Sequence, residues 1–179
     1  IFLGRKKYSA CNKVLSNVVS LNIIIGLLFM AVALTYIDPI LYFFGASANT
    51  LPYAKEYIRI ILYGNIITHL YFGLNAAMRS TGSPKKAMGL TIFTVILNAI
   101  LDPIFIFVLD MGIAGAAWAT VISQSVSLIV VMAHFSNFNR AVHFKEGILR
   151  LNFKIAKESL AIGAGPFLMN AAACLVTLF

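Results

Sequence analysis

Charge is scarce in this chain. Of its 179 residues, fourteen are Lys or Arg and six are Asp or Glu. At 11% charged it holds less than half the share of a typical soluble domain, about 25%, which excludes an ordinary water-exposed surface. Cysteine is nearly absent too. Cys11 and Cys174 give neither a disulfide framework nor a zinc spacing, and both read as small apolar fillers. His69, His134 and His143 form no ligand pattern. No nucleophile stands beside a base, and no glycine loop is built to cradle phosphate. Gly163-x-Gly165 with Pro166 reads as a membrane-helix kink. These absences point away from an enzyme, from a resident cofactor and from ATP hydrolysis, so work must be driven by a gradient. The net charge of +8 raises nucleic acid as a partner. The bases, however, lie between long apolar runs rather than on one soluble face, which argues against it.

What is present is apolar. Hydrophobic residues make up 60% of the chain, and the mean hydropathy is +0.90. Five apolar runs cover residues 14–36, 57–78, 88–109, 113–133 and 160–179. Each approaches the ~20 residues that cross a ~30 Å hydrocarbon core as a helix. Backbone groups in lipid must be satisfied within the segment, and the alternating strands of a membrane barrel (~10 residues each) do not occur. The chain therefore reads as an all-α integral membrane protein, a helical bundle.

The connections alternate in charge. Odd ones carry twelve bases: Arg5, Lys6, Lys7 and Lys13, then Arg79, Lys85 and Lys86, then Arg140, Lys145, Arg150, Lys154 and Lys157. Even ones carry two, Lys55 and Arg59. Helices that cross alternately place odd connections on one side, and the positive-inside rule makes that side cytoplasmic. Asp38-Pro39 and Ser80-Thr81-Gly82-Ser83-Pro84 supply stop and turn signals. The one long polar stretch, 136–158, mixes Phe144, Ile148, Leu149, Leu151 and Phe153 with bases. It fits an amphipathic helix on the membrane surface or a plain linker. The sequence opens at Ile1 in a basic segment and stops at Phe179 inside an apolar run, as a piece of a larger protein would.

Asp102 is the informative residue. It lies inside the third run, where a carboxylate costs roughly 2.5–3.5 kcal/mol to insert. Acids held there usually face a bundle interior or a watery cavity and mark ion or substrate paths. Thr91, Thr94, Asn98 and Asp102 recur at +3, +4 and +4, on one helix face. Pro103 cannot donate to the carbonyl of Ala99, so hard oxygen donors gather near the acid. They suit a proton or a small monovalent cation. The alternative is a polar clamp between helices.

Two further stripes are less decisive. Asn65, Thr68, Phe72, Asn75 and Arg79 share a face of the second run, with His69 beside it. Thr120, Ser123, Gln124 and Ser127 share one on the fourth. Each fits interhelical hydrogen bonds or a cavity wall, with Thr68, Thr94 and Gln124 as candidate cavity residues. Gly112, Gly115, Ala116 and Ala119 allow close helix approach. Tyr57 fits an interfacial belt.

The string Leu97-Asn98-Ala99-Ile100-Leu101-Asp102-Pro103, followed by Gly112-Ile113-Ala114-Gly115-Ala116-Ala117-Trp118-Ala119-Thr120, resembles the multidrug and toxic compound extrusion (MATE) antiporters. Phe44-Gly45-Ala46-Ser47, Ala54 with Tyr57, Arg79 with Gly82, Pro84 and Lys85, and Gly163 with Pro166 resemble them as well. The resemblance implies twelve helices in two lobes. Residues 1–135 would be four helices of the N-terminal lobe, 136–158 the cytoplasmic inter-lobe linker, and 159–179 the start of the C-terminal lobe. It implies a cation-coupled antiporter, driven by Na+ or H+, that exports amphipathic organic compounds across a bacterial inner membrane. Its partners would be membrane lipid, small organic substrates and the remaining helices of the same polypeptide. By resemblance to the DinF-like branch, Tyr57, Asn75, Asn98, Asp102 and Thr120 fall at the polar positions of a cation site, to which a carboxylate in the family's first helix also contributes. The alternatives are a lipid-linked oligosaccharide flippase of the same superfamily and a non-transporting membrane scaffold.

Overall fold

The computed structural model describes residues 8–137, 141–144, 149 and 151–178. Six α-helices follow in order: α1 (Tyr8–Thr35), α2 (Ile37–Phe43), α3 (Leu51–Ser80), α4 (Pro84–Pro103), α5 (Gly112–Ser136) and α6 (Phe153–Leu178). A π-helix, Ile104–Val108, continues α4. No strand occurs among the described residues. The fold is an all-α membrane bundle, as the apolar runs imply. Among the described residues three helical stretches are long and apolar enough to cross a membrane: α1, α4 with its π-helix, and α5. That is fewer than the five expected. In α3 the reason is polar: Lys55, Glu56, Arg59, Asn65, His69 and Asn75 all lie within it. Arg5, Lys6, Lys7, Arg140, Lys145, Ile148, Arg150 and Phe179, on which part of the sequence reading rests, lie outside the described residues.

Helix limits follow local chemistry. α3 begins six residues ahead of the apolar run because Pro52 sits in its first turn, where a missing N–H costs nothing and the fixed φ fits. The connection between α1 and α3 contains the short helix α2. It buries Ile37 and Leu41 against Leu62, and Lys55 Nζ pairs with Asp38 at 2.6 Å and 2.8 Å. α6 also starts early. The Asn152 side chain accepts from the N–H groups of Lys154 and Ile155 at 3.1 and 3.3 Å, an N-cap that satisfies otherwise orphan donors.

α3 is central and touches α1, α4 and α5. Its register with each is fixed by pairs. Asn65 donates to Gly26 O of α1 at 3.0 Å, and a side chain at Gly73 would collide with Asn22 of α1. Tyr71 meets Thr94 and Asn75 meets Ala87, so α4 runs antiparallel to α3. Gly64 packs on Val121 and Thr68 on Gln124, so α5 runs parallel to it. The main core lies toward the end rich in bases, with Leu15, Val19, Leu74, Met78, Ala87, Val131 and Phe135 at its centre.

The segment after α5 is part of that core. Val142 is 4% exposed and Phe144 packs on Phe135. Two buried asparagines of α1 hold the segment's backbone. Asn12 Oδ1 accepts from His143 N–H at 3.1 Å, and Asn17 Oδ1 accepts from Asn152 N–H at 2.9 Å. The described residues 137, 141–144, 149 and 151–152 are not helical. Of the apolar residues expected on a surface helix, Phe144 is half-buried, Leu149 is exposed, and Phe153 opens α6. α6 itself is exposed along nearly all its described length.

Candidate functional site

The acid and its neighbours are positioned by a break in α4. Pro103 ends the α-helix, and the N–H of Ile104 donates to Leu101 O instead of Ile100 O, its ordinary α-helical acceptor. The chain then widens into the π-helix, where Leu109 N–H reaches back to Ile104 O at 2.9 Å. π-segments inside helices recur at functional sites. The break is held from outside by Gly115. A Cβ there would lie 2.7 Å from the carbonyl carbon of Phe105 and 2.8 Å from its oxygen. Only glycine lets α5 approach the π-helix backbone this closely. Asp110 and Gly112, at φ 53° and 54°, close the turn between them.

One turn inward, α4 and α5 bring three polar side chains together. Asn98 Nδ2 donates to Asp102 Oδ1 at 3.3 Å and to Thr120 Oγ1 at 3.4 Å. The Thr120 hydroxyl donates to Ala116 O at 3.0 Å. All three residues are half-buried. No basic side chain is paired with Asp102 among the described residues. A cavity of about 170 Å³ adjoins the cluster, lined by Tyr71, Thr94, Asn98, Thr120, Ser123 and Gln124 among others. That is room for several waters.

Thr94 and Gln124 therefore stand on a cavity wall, and Thr68 stands behind it, hydrogen-bonded to Gln124 Oε1. Thr94 is nonetheless committed. Its hydroxyl donates to Leu90 O at 2.8 Å and meets Tyr71 at 2.9 Å and Ser127 at 2.6 Å, all buried.

Tyr57 and Asn75 sit apart from the cluster. They are eighteen residues apart on one helix, or ~27 Å along its axis, so one small ion cannot touch both. Asn75 is 2% exposed and donates to Ala87 O at 3.2 Å. Ala87 lies fifteen residues before Asp102 on α4, ~22 Å away. Asn75 is thus placed with the inner clamps and not beside Asp102; matching positions along a sequence says nothing of height along a helix. Tyr57 is half-buried. By the register of α3 on α5 it stands level with the first turns of α5, near the height of Asp102, with no hydrogen bond to the cluster among the described residues.

Three features escaped the sequence reading. Tyr71 was masked by its apolar character, although it lies one turn before Asn75. Asn12, Ser16 and Ser20 repeat at +4 on α1, a periodic polar stripe at the start of an apolar run, and Asn17 lies beside them. The π-helix had a signal in Asp102-Pro103, but a proline alone does not distinguish a kink from a π-turn.

The arrangement is that of a membrane bundle, and comparisons with known proteins agree on that fold. The chain is 32% identical over 168 residues to a protein of Staphylococcus aureus (strain bovine RF122 / ET3-1) named multidrug export protein MepA, an alignment covering 94% of this chain and 37% of that protein. It thus spans about 37% of the length of that relative. Among solved structures it resembles the inward-facing and outward-facing conformations of a multidrug resistance MATE family transporter of the MOP superfamily. The TM-scores are 0.82 and 0.83 at 28% and 27% identity, covering 91% of this chain and 37% and 36% of those chains. A MOP superfamily transporter from Pyrococcus furiosus, whose description gives its binding pocket reversed polarity and a different function, matches with a TM-score of 0.73 at 28% identity, over 90% of this chain and 39% of that one. The model of the family described as MatE matches residues 2–104, more than half of the sequence, and the chain is a multi-pass membrane protein belonging to that family.

Proposed function

We propose that the protein carrying this chain is a cation-coupled antiporter that exports amphipathic, often cationic organic compounds, with no catalytic step of its own. The observation that carries the reading is the Asn98–Asp102–Thr120 cluster at the break of a membrane-spanning helix. A carboxylate in such a position, without a basic partner among the described residues and near a small cavity with several polar residues on its wall, has the character of an ion site. Na+ and H+ both fit its hard oxygen donors. The relatives named for multidrug export point to the same class.

In this reading a cation arrives from outside at Asp102, and binding biases the lobe toward releasing its organic cargo outward. The near-equal match to inward- and outward-facing structures supports movement of this part as one body. One elementary charge moving through ~100 mV supplies about 2.3 kcal/mol. At about 1.4 kcal/mol per tenfold ratio, that sustains roughly a fortyfold gradient of a neutral substrate. The distribution of bases supports a cytoplasmic odd side and residence in a bacterial inner membrane, among lipids and the further helices of a twelve-helix, two-lobe protein.

A flippase for lipid-linked pyrophosphates would call for cationic side chains in its cavity. Arg59 and Arg79 are exposed near opposite ends of α3, and neither lines the cavity beside Asn98. That favours the antiporter. Dye efflux from proteoliposomes of the full-length protein tests it: export should require an imposed Na+ or H+ gradient and stop when an ionophore collapses it. Export that survives the ionophore rejects coupling, and no export under any gradient favours a scaffold.

A further inference from the structure

The Asn98 amide nitrogen faces two oxygens at once, Asp102 Oδ1 and Thr120 Oγ1. Both are acceptors in this geometry. An amide nitrogen only donates, so each oxygen it meets accepts. The Thr120 hydroxyl has one, directed to Ala116 O, so its lone pairs remain for other donors. One NH2 group, with two hydrogens, therefore serves the same two oxygens that a monovalent cation would take. The two cannot share the place, because an amide nitrogen has no lone pair for a cation and its hydrogens carry partial positive charge.

We infer that Asn98 is a two-position switch. With its nitrogen toward Asp102 and Thr120, the side chain stands in for the cation. Rotated half a turn about its terminal bond, it offers Oδ1 as a third oxygen ligand to the ion. This rests on the reading of Asp102 as the seat of the coupling ion. The terminal torsion of asparagine is broad and roughly two-fold, so rotation meets little intrinsic resistance. The adjoining cavity, with Ser123 and Gln124 on its wall, has both space and polar groups for the displaced NH2. Asn75 has neither freedom, being 2% exposed and bound to Ala87 O.

The switch answers a problem inherent in antiport. The protein must change conformation both with the ion and after its release. A carboxylate left without a partner in a low-dielectric wall opposes the second passage. The amide keeps both oxygens hydrogen-bonded once the cation has gone, without the lasting charge that a Lys or Arg would bring.

The test is NMR of the full-length protein in nanodiscs, labelled with 15N-asparagine and 15N-threonine, with the Asn98 side-chain amide pair assigned by its loss in Asn98→Ser and the Thr120 backbone signal by its loss in Thr120→Ser. NaCl is titrated against choline chloride at constant ionic strength. The Asn98 amide protons should move upfield as they leave the carboxylate, with the midpoint of sodium binding measured separately, and should not move in Asp102→Asn. Sodium-dependent shifts at Thr120 with an unmoved Asn98 pair overturn the switch and leave Asp102 as the ion site. No change at either position, with sodium or across a pH titration, overturns both. A second variant, Asn98→Asp, keeps the oxygens but loses the donor. Sodium should then bind several-fold more tightly while turnover falls, whereas unchanged sodium binding and turnover contradict the inference.

Discussion

Two polar groups share one face of α4, a single turn apart, and they are built differently. Thr94 sits in a closed set. Tyr71, Ser127 and Leu90 O surround its hydroxyl at 2.6–2.9 Å, and all three side chains are below 9% exposed. Asn98 and Asp102 are half-buried, their contacts are 3.3–3.4 Å long, and a cavity lies beside them. A saturated set has no capacity left for a ligand and serves to pin helices. An unsaturated one retains oxygens that an ion can take. The same stripe thus changes from a closed set to an open one toward the break at Pro103.

The sharpest way to break this contrast is to disturb the backbone that creates the open half. Gly115→Ala drives a methyl against the Phe105 carbonyl, which cannot move aside as a side chain would. The full-length protein should lose about 3 kcal/mol of stability, read as a lower unfolding midpoint in detergent. An unchanged midpoint would mean that α5 and the π-helix are not packed as described.

Next in size is the inner half. Asn17→Ala leaves the N–H of Asn152 without its partner at the entrance of α6. It should cost about 1–2 kcal/mol and leave ion dependence of transport unchanged. Asn98→Ala should do the reverse, removing less than ~1 kcal/mol of stability and abolishing ion-dependent transport. If the two variants exchange these effects, the division into fastening and binding asparagines is wrong.

Thr94→Val keeps shape and removes the hydroxyl that joins three helices. It should cost about 1 kcal/mol, with a coupling of roughly 0.6 kcal/mol to Tyr71→Phe in a double-mutant cycle. The smallest effect is expected from Lys55→Met. Its ion pair with Asp38 is part-exposed, so its loss should remove under ~1 kcal/mol, with less effect at high salt.

The contrast also explains which parts of the molecule were legible beforehand. Among the described residues each long helix contains most or all of one of the apolar runs, and for α1, α4 and α5 the run is long enough to span because burial in lipid imposes a length that composition must meet. Asp102 and Asn98 were legible because a costly acid with polar residues at helical spacing stands out in an apolar run, whereas Thr120, on another helix, was placed with them only by the family resemblance. The starts of α3 and α6 were not, because Pro52 and Asn152 act through the first helical turn and leave hydropathy unchanged. Asn75 was placed at the right position in the chain but at the wrong height, since only the pairing with Ala87 fixes where it falls against α4. The docking of Val142 on the core depends on Asn12 and Asn17, more than 120 residues upstream. No local pattern carries such a contact.

Everything proposed for transport depends on the α4 carboxylate holding the coupling ion. The most direct test is uptake of radioactive sodium and of protons by the purified full-length protein, before and after Asp102→Asn. The variant should keep its unfolding midpoint and lose the uptake of whichever ion drives export. Undiminished uptake of that ion by the folded variant would contradict it.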